Sequence, residues 1–404
     1  MTKASSVSPT PQSGDPNRSI RLLVLANRFW PCVDDSTLRL MHWLDALKTQ
    51  SIRSTVVTAR HQAQWPDRFE IRGTPVHRLL PAPNSNWNES HFSRNVVQWI
   101  MKHSHSFDAI YCDRVDSVLS LLAVKGSKWS QPILARMSPY TSINGTFEPE
   151  SQRPIIPIDA ARRCDVVFTP NAGGHRFLVS QGVPDSKIVR LADPYWGRVE
   201  RSGPQRTSAL RSLASLNGDF FLPKETKLIV HLGISKWSAL KPMLQHVCDL
   251  LDTGAPIRLW IINCGLPYGM VYDYLKDRGW HREILIFDGF DDQEVFLQAA
   301  DLLWFTTPEE SLQYSLPTAA ASGIPLMIKE TPEIRDFLSR AYPSIVYGSP
   351  TDLALNLNRW YASPESISAD LQSLKQEVLH SANPTASLQR FASQCEMAIE
   401  AKRA

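Results

Sequence analysis

The sequence predicts an α/β protein with two tandem domains, each built around a doubly wound parallel sheet. Continuous apolar runs of strand length recur along the chain, which is typical of strands buried on both faces. Amphipathic helical segments alternate with these runs, as they do in β-α-β units. The alternation stops between Asp193 and Lys227 and then resumes. Because 404 residues are more than one ordinary core holds, this break predicts a domain boundary.

The first alternating series predicts an N-terminal domain over residues 20–195. Residues 20–27, IRLLVLAN, form an apolar run that ends in a polar turn. An amphipathic helix is expected at 36–50 and a second strand at 54–58. Residues 1–19 lack an apolar segment and are expected to be a disordered tail without a secretory signal. Further strands are expected at 108–113, 132–138, 165–170 and 187–191, and helices at 117–124 and 174–181.

The second series predicts a C-terminal domain over residues 227–383. Residues 196–226, between the two series, are polar and punctuated by glycine and proline, which favours a linker region. The two halves share their alternation but no detailed repeat. The expected strands are 227–232, 257–263, 284–287, 301–306, 325–328 and 344–347; the expected helices are 241–251, 270–278, 293–299, one from Pro332, 350–360, 367–380 and 386–402.

The composition is that of a globular protein with no requirement for nucleic acid. Hydrophobic residues make up 43% of the chain, charged residues 21%, and the formal net charge is +3. This small charge predicts no nucleic-acid partner but allows a basic face toward a membrane surface. The six cysteines and eleven histidines lack metal-ligand spacing, and no apolar run approaches the roughly 18 residues of a membrane span. We therefore expect a cytoplasmic protein without a metal.

The segment 301–327, DLLWFTTPEESLQYSLPTAAASGIPLM, is the strongest functional signal in the chain. It joins an apolar strand, a polar turn and a helix of small residues without spare residues between them. In a parallel sheet, the loop at the carboxyl end of a strand meets a helix N-terminus, whose unpaired N–H groups favour phosphate. The segment therefore predicts a phosphate or nucleotide site.

Within this segment, Glu310, Ser311 and Leu312, followed by 318–325 (TAAASGIP), resemble the signature of GT-B glycosyltransferases of family 4. That signature runs Glu-Gly-Phe-Gly, four residues, then Glu-Ala-x-Ala-x-Gly-x-Pro. Residues 284–290 (ILIFDGF) resemble the family's Val-x-Phe-x-Gly segment, and 233–244 occupy the position of its phosphate loop. The similarity covers most of residues 20–350.

The resemblance implies a GT-B fold, in which two Rossmann-like domains face a central cleft. It implies a nucleotide-sugar donor in the C-terminal domain and a glycan, lipid or small-molecule acceptor in the N-terminal domain. Transfer with retention, without a metal or other cofactor, would follow, because the leaving phosphate assists attack on the same face of the sugar. The last helix, within residues 384–404, would pack back onto the N-terminal domain.

The family's site residues carry over to this sequence position by position. Lys241 matches the lysine that neutralises the diphosphate, and Lys236 is a second cation in the same loop. Glu310 matches the glutamate that holds the sugar hydroxyls, with Glu309 beside it. Thr318 stands where the family has a ribose-binding glutamate, and one hydroxyl makes fewer bonds than a carboxylate. Backbone N–H groups and hydroxyls that would receive the phosphate belong to Leu312, Tyr314 and Ser315.

In the N-terminal half, Asp34 and Asp35 replace the glycine pair that relatives carry after the first strand. An acidic pair would repel a diphosphate, so we expect Asp35 or Ser36 to be a helix N-cap. Candidates for the acceptor or for the cleft are Arg28, Trp30, Arg136 and His175.

Several of these residues also have structural explanations. Lys236 and Lys241 would equally suit a solvated surface, and the pair Glu309 and Glu310 would suit a helix start. Together with Ile234 in the family's arginine position, the replacements support a second hypothesis, a non-catalytic GT-B module that binds a sugar or a partner enzyme. A nucleotide-sugar epimerase is a weaker third hypothesis.

Overall fold

The chain forms two sheets of largely parallel strands, covered by helices. The computed structural model describes residues 19–31, 34–82, 86–114, 117–122, 130–137, 158–266, 268–288 and 293–404. Each sheet has a single run of strands in its own half of the sequence. The predicted α/β class with two doubly wound sheets is confirmed.

The first sheet contains eight strands among the described residues. Their order is β3-β4-β2-β1-β5-β6-β7-β8, and every pairing is parallel except β3 with β4. These strands are β1 (Ile20–Ala26), β2 (Ile52–Ala59), β3 (Arg68–Ile71), β4 (Thr74–Leu79), β5 (Ala109–Cys112), β6 (Ile133–Arg136), β7 (Val166–Thr169) and β8 (Ile188–Arg190). The helices are α1 (Asp35–Leu47), α2 (Asn86–His103), α3 (Ser117–Leu122), α4 (Ile158–Arg163) and α5 (Ala172–Ser180).

The second sheet has six strands in the part of the chain that the structure describes, all parallel, in the order β11-β10-β9-β12-β13-β14. The strands are β9 (Lys227–Leu232), β10 (Ile257–Ile262), β11 (Ile284–Phe287), β12 (Leu302–Phe305), β13 (Leu326–Lys329) and β14 (Val346–Tyr347). The helices are α6 (Gly203–Leu216), α7 (Trp237–Asp252), α8 (Tyr268–Asp277), α9 (Glu294–Ala299), α10 (Ser315–Ser322), α11 (Pro332–Phe337), α12 (Pro350–Ala362), α13 (Ser368–Ser381) and α14 (Pro384–Arg403).

The apolar runs form the central strands because those strands are covered on both faces. In β1, Leu22, Leu23 and Val24 are fully buried although their side chains alternate between the faces of the sheet. Strand β9 likewise lies between β10 and β12. The chain leaves β9 in one direction along the sheet and returns to its other side at β12, so the strand order reverses between these two neighbours. A crevice for a ligand is expected at such a reversal.

Several features differ from the sequence-based expectation, and helix α2, for example, was not predicted. Strands β3 and β4 form a hairpin whose turn residues, Arg72 and Gly73, both have positive φ, at 48° and 71°. The predicted linker 196–226 contains helix α6, because Ser202 and Gln205 form a capping box around the glycine and proline that had suggested a break. Buried residues of α6 belong to the core of the second sheet.

The last helix, α14, packs against the first sheet, although it follows the second sheet in sequence. Phe391 is fully buried there. Its ring centroid lies 5.4 Å from that of Trp43, 5.3 Å from that of Tyr111 and 5.1 Å from that of Phe168. The C-terminus therefore completes the core of the N-terminal half.

Replacing Phe391 with alanine is expected to lower the free energy of unfolding of the N-terminal half by about 4 kcal/mol, because it leaves a cavity among three rings. Urea denaturation followed by tryptophan fluorescence measures the change. Met397→Ala is the control, since Met397 on the same helix is 58% exposed. Equal effects of the two substitutions would contradict the packing of α14.

Candidate functional site

Two loops meet at the carboxyl ends of β9 and β12, where the strand order reverses. The first contains Gly233, which has a φ of 87°, and a Cβ on this residue would lie 3.3 Å from Ser311 Oγ in the second loop. Thr307 Oγ1 donates to the Ile234 carbonyl over 2.7 Å. A glycine is therefore needed where the two loops approach each other most closely.

A buried polar chain fixes these loops from below. His231 Nε2 lies 2.9 Å from Thr306 Oγ1, which lies 2.6 Å from Ser235 Oγ. Burial lowers the pKa of His231 to about 4, so the imidazole is neutral at physiological pH. The loops are thus held by uncharged hydrogen bonds that sequence patterns did not single out.

The N-terminus of α10 is occupied by a carboxylate from the other half of the chain. Asp35 Oδ2 accepts hydrogen bonds from the backbone N–H of Gln313 (2.9 Å) and of Tyr314 (2.7 Å). Asp35 Oδ1 accepts from the Ser315 N–H (2.7 Å) and from Ser315 Oγ (2.6 Å). These N–H groups have no partner within a helix that begins at Ser315. These donors at the start of α10 thus bind the Asp35 carboxylate, and the phosphate or nucleotide site expected here stays a prediction.

The expectation that Asp35 or Ser36 caps α1 was wrong. Asp34 is the N-cap of α1 and accepts a 2.7 Å hydrogen bond from the Thr37 N–H. Asp35 is buried, and burial raises the pKa of its carboxyl to about 6, although the hydrogen bonds from Ser315, Tyr314 and Gln313 lower it. One aspartate of the pair thus caps its own helix, and its neighbour caps a helix of the other half.

Two hydroxyls along α10 hold the segment that connects the two sheets. Thr318 is fully buried and its Oγ1 accepts from the Trp196 N–H over 3.2 Å. One turn later, Ser322 Oγ accepts from the Val199 N–H over 2.9 Å. The hydroxyl of Thr318, predicted as a ribose contact, therefore has a partner within the protein.

Tyr314 is also incorporated into the contact between the halves. It is 2% exposed and belongs to the buried cluster of the first sheet. Its ring stacks on that of His42 from α1, with centroids 5.1 Å apart. Burial lowers the pKa of His42 to about 4, so this stack carries no charge at neutral pH.

The other predicted donor residues lie around the same loops. Lys236 directly precedes α7 and Lys241 lies near its start, and both are exposed. Leu312 is buried in the core of the second sheet. Glu309 and Glu310 belong to a short 3₁₀ helix, Pro308–Ser311, between β12 and α10, and their side chains lie outside the described part of the structure. Their roles stay predictions.

The four N-terminal candidates have separate surroundings. Arg28 is exposed, and Trp30 is half-buried with its ring 5.7 Å from that of Phe69. Arg136 is buried in an ion pair with Asp193, which belongs to the connection between β8 and α6. His175, the fourth candidate, lies near the start of α5, and its imidazole is 3.0 Å from the Asp185 carboxylate.

A second buried ion pair lies beside that of Arg136 and was not anticipated. Arg39 of α1 pairs with Asp113 at the end of β5, and both side chains are at least nine-tenths buried. The Tyr111 hydroxyl donates to the same carboxylate over 3.4 Å. Charges of opposite sign thus neutralise each other at the carboxyl end of the first sheet, on the side where α1 reaches the second half.

Neither a metal centre nor a membrane span is found in the part of the chain that the structure describes. No group of three or more histidine, cysteine, aspartate or glutamate side chains could hold a metal ion among residues 19–31, 34–82, 86–114, 117–122, 130–137, 158–266, 268–288 and 293–404. Over the same residues, no helix is both long and apolar enough to cross a bilayer.

Several solved structures share this architecture over nearly their full length. Sucrose-phosphate synthase from Thermosynechococcus elongatus has a TM-score of 0.74 at 12% identity, over 95% of this chain and 100% of that one. Anabaena Alr3699/HepE in complex with UDP-glucose has a TM-score of 0.70 at 12% identity, over 94% and 100%. The catalytic domain of starch synthase IV from Arabidopsis thaliana, bound to ADP and acarbose, has a TM-score of 0.67 at 11% identity, over 95% of this chain and 100% of that one. The chain has the GT-B fold.

The three structures named above are GT-B glycosyltransferases, and the predicted pair of Rossmann-like domains around a cleft is confirmed. No protein-family model matches the sequence, and no curated protein gives a significant sequence match. At 12% identity, the likeness establishes the fold of this GT-B chain, whereas membership of family 4 stays a prediction.

Titration of Asp35 is expected to change stability with pH. Because its pKa is raised to about 6 in the folded state, its stabilising contribution is complete below its unfolded pKa and is lost as the pH rises through 6. The difference in unfolding free energy between wild type and Asp35→Asn should therefore fall by about 3 kcal/mol between about pH 4 and pH 7. Urea denaturation of both proteins measures it. If the difference instead grows with pH, the hydrogen bonds from the N–H groups lower the pKa of Asp35 by more than burial raises it.

Replacing Thr318 with valine is expected to cost about 1–2 kcal/mol, because it leaves the buried Trp196 N–H without an acceptor at constant side-chain volume. Thermal or urea unfolding measures the loss, and Thr385→Val at an exposed position is the control. If Thr318→Val is as stable as wild type, the hydroxyl does not hold the connecting segment.

Proposed function

We propose that the protein is a glycosyltransferase that moves a sugar from a nucleotide-sugar donor to a carbohydrate, lipid or small-molecule acceptor. The observation that carries the proposal is the pair of loops at the ends of β9 and β12 within a full-length GT-B fold. The first loop contains a glycine of positive φ and leads into α7, whose start carries Lys236 and Lys241. The second loop leads into α10, and the two loops are joined by the hydrogen bond from Thr307 Oγ1 to the Ile234 carbonyl. Similar structures contain UDP-glucose or ADP.

The donor would be held chiefly by the C-terminal half. Lys241 would neutralise the diphosphate and Lys236 would support it, because fixed cations stabilise charge that increases as the sugar–phosphate bond breaks. Glu310 would orient the sugar through its hydroxyls, with Glu309 as its neighbour. Transfer would proceed with retention and without a metal, since the departing phosphate can accept the proton of the attacking hydroxyl.

The acceptor would bind to the N-terminal half. Arg28 is exposed and Trp30 is partly exposed after the first strand, and an aromatic plane beside a cation suits a sugar ring. Closure of the cleft around both substrates would exclude water and so limit hydrolysis of the donor.

A specific observation favours a second candidate, the non-catalytic GT-B module. The polar atoms that would bind phosphate and ribose already have protein partners: the N–H groups of Gln313, Tyr314 and Ser315 bind Asp35, and Thr318 binds Trp196. In a module that had lost its nucleotide, such hydrogen bonds within the protein would replace those to the nucleotide and so retain the fold.

Calorimetric titration with UDP-, GDP- and ADP-sugars separates the candidates. Binding of one of these donors, followed by release of free nucleotide in the presence of an acceptor, is expected for the transferase. A folded protein that binds none of them would overturn the transferase and leave the module. Conversion of the donor's sugar without transfer would instead indicate an epimerase.

Glu310→Ala is expected to lower kcat by about a hundredfold or more while the fold is retained, because it removes a contact to the reacting sugar. Turnover of the identified donor and the circular dichroism spectrum measure the two effects. Glu396→Ala, at an exposed position of α14, is the matched control. Undiminished turnover in Glu310→Ala would show that the site is assigned wrongly.

A further inference from the structure

The contact between Asp35 and the start of α10 adds hydrogen bonds to a carboxylate to the packing of Tyr314 between the two halves of the chain. One carboxylate receives three consecutive backbone N–H groups and one hydroxyl, all within 2.9 Å. The acceptor lies at position 35 and the donors at 313–315, so the last of these bonds joins residues that are 280 positions apart in the sequence. They exist only while α1 lies against the start of α10.

The same four donors match the chemistry of a phosphoryl group. Consecutive N–H groups at a helix N-terminus are a ready-made site for oxygens of an anion. A carboxylate supplies two such oxygens and a phosphate three, so either can satisfy Gln313, Tyr314 and Ser315. Both cannot do so together, because each N–H has one hydrogen and the two anions repel each other.

Two further observations indicate that this turn has binding capacity beyond Asp35. Gln313 is 2% exposed, yet its side-chain Oε1 has no hydrogen-bond partner, which is uncommon for a buried amide. Gly233 lies against Ser311, immediately before the turn, and a Cβ on Gly233 would come within 3.3 Å of the Ser311 hydroxyl. A buried acceptor such as Gln313 Oε1 can receive a hydroxyl group of a nucleotide sugar, whereas the phosphate oxygens, which are themselves acceptors, can bind only the N–H groups.

We propose that Asp35 is an internal competitor of the donor, holding the start of α10 against a nucleotide diphosphate. The diphosphate binds there once α1 has withdrawn its carboxylate, so donor binding and separation of α1 from α10 are one event. This inference rests on the proposed transferase function, since it assumes a donor with a diphosphate. It also explains why an acidic residue stands where the related enzymes have glycine.

Asp35→Asn tests the competition, because asparagine keeps the size of the side chain but removes its charge. Asp34→Asn is the matched control, because Asp34 caps only α1 and asparagine is an equally good N-cap. Isothermal titration is carried out with UDP-glucose, with pyrophosphate and with uridine. Relative to wild type and to Asp34→Asn, the Asp35→Asn protein is expected to bind UDP-glucose and pyrophosphate about tenfold more tightly. Its affinity for uridine is expected to be unchanged.

The outcomes separate this inference from the proposed function. Equal affinity of wild type and Asp35→Asn for UDP-glucose would overturn the competition and leave the transferase intact. Tighter binding of pyrophosphate by Asp35→Asn, without binding of any nucleotide sugar, would support the competition and overturn the transferase. Tighter binding of uridine as well would show general loosening of the cleft and overturn the competition. If the circular dichroism spectrum shows that Asp35→Asn is unfolded, the same test is made with Asp35→Ser.

Discussion

A carboxylate removed from water needs donors, and the buried Asp35 finds them all at the start of one distant helix. Because three of these donors are backbone N–H groups, their positions follow from the course of α10 and not from flexible side chains. The hydrogen bonds therefore fix α1 relative to α10 within a few tenths of an ångström. The stack of His42 on Tyr314 and the bond from Trp196 to Thr318 lie in the same seam and depend on that placement.

This constraint connects the two functional hypotheses. The proposed transferase needs the N–H groups at 313–315 for its donor, whereas their occupation by Asp35 suits a module without a nucleotide. If Asp35 is a competitor that leaves, both observations describe one enzyme in two states. His42 and His231 are both neutral at physiological pH. Asp35 is therefore the group in this contact whose charge changes on mild acidification.

The fold could be predicted from the sequence because its main signal is local. Runs such as IRLLVLA and KLIVHL are strands buried on both faces, and their alternation with helices specifies parallel sheets. Helix α6 was missed because glycine and proline at its start were taken as a break, although Ser202 and Gln205 form a capping box there. The hairpin of β3 and β4 was missed because its strands are short and half exposed.

The candidate site could be predicted only in part. The strand, turn and helix of 301–327 were predicted correctly, and with them the helix N-terminus that Asp35 binds, because its geometry follows from the backbone. What fills the site could not be predicted, since Asp35 lies 280 residues from Ser315 and no local pattern specifies such a pair. The acidic pair itself was visible, but the N-cap of α1 was assigned to Asp35 or Ser36, whereas Asp34 caps α1 and Asp35 binds the start of α10.

Hydrogen–deuterium exchange of the Gln313, Tyr314 and Ser315 amides in the ligand-free protein tests the central claim most directly. These N–H groups precede the first hydrogen-bonded turn of α10, and the acceptor that the structure gives them is Asp35. We expect strong protection in the wild type and in Asp34→Asn, and its selective loss in Asp35→Asn. Exchange of these amides in the wild type at the rate of an exposed loop, or protection that survives Asp35→Asn, would contradict the account.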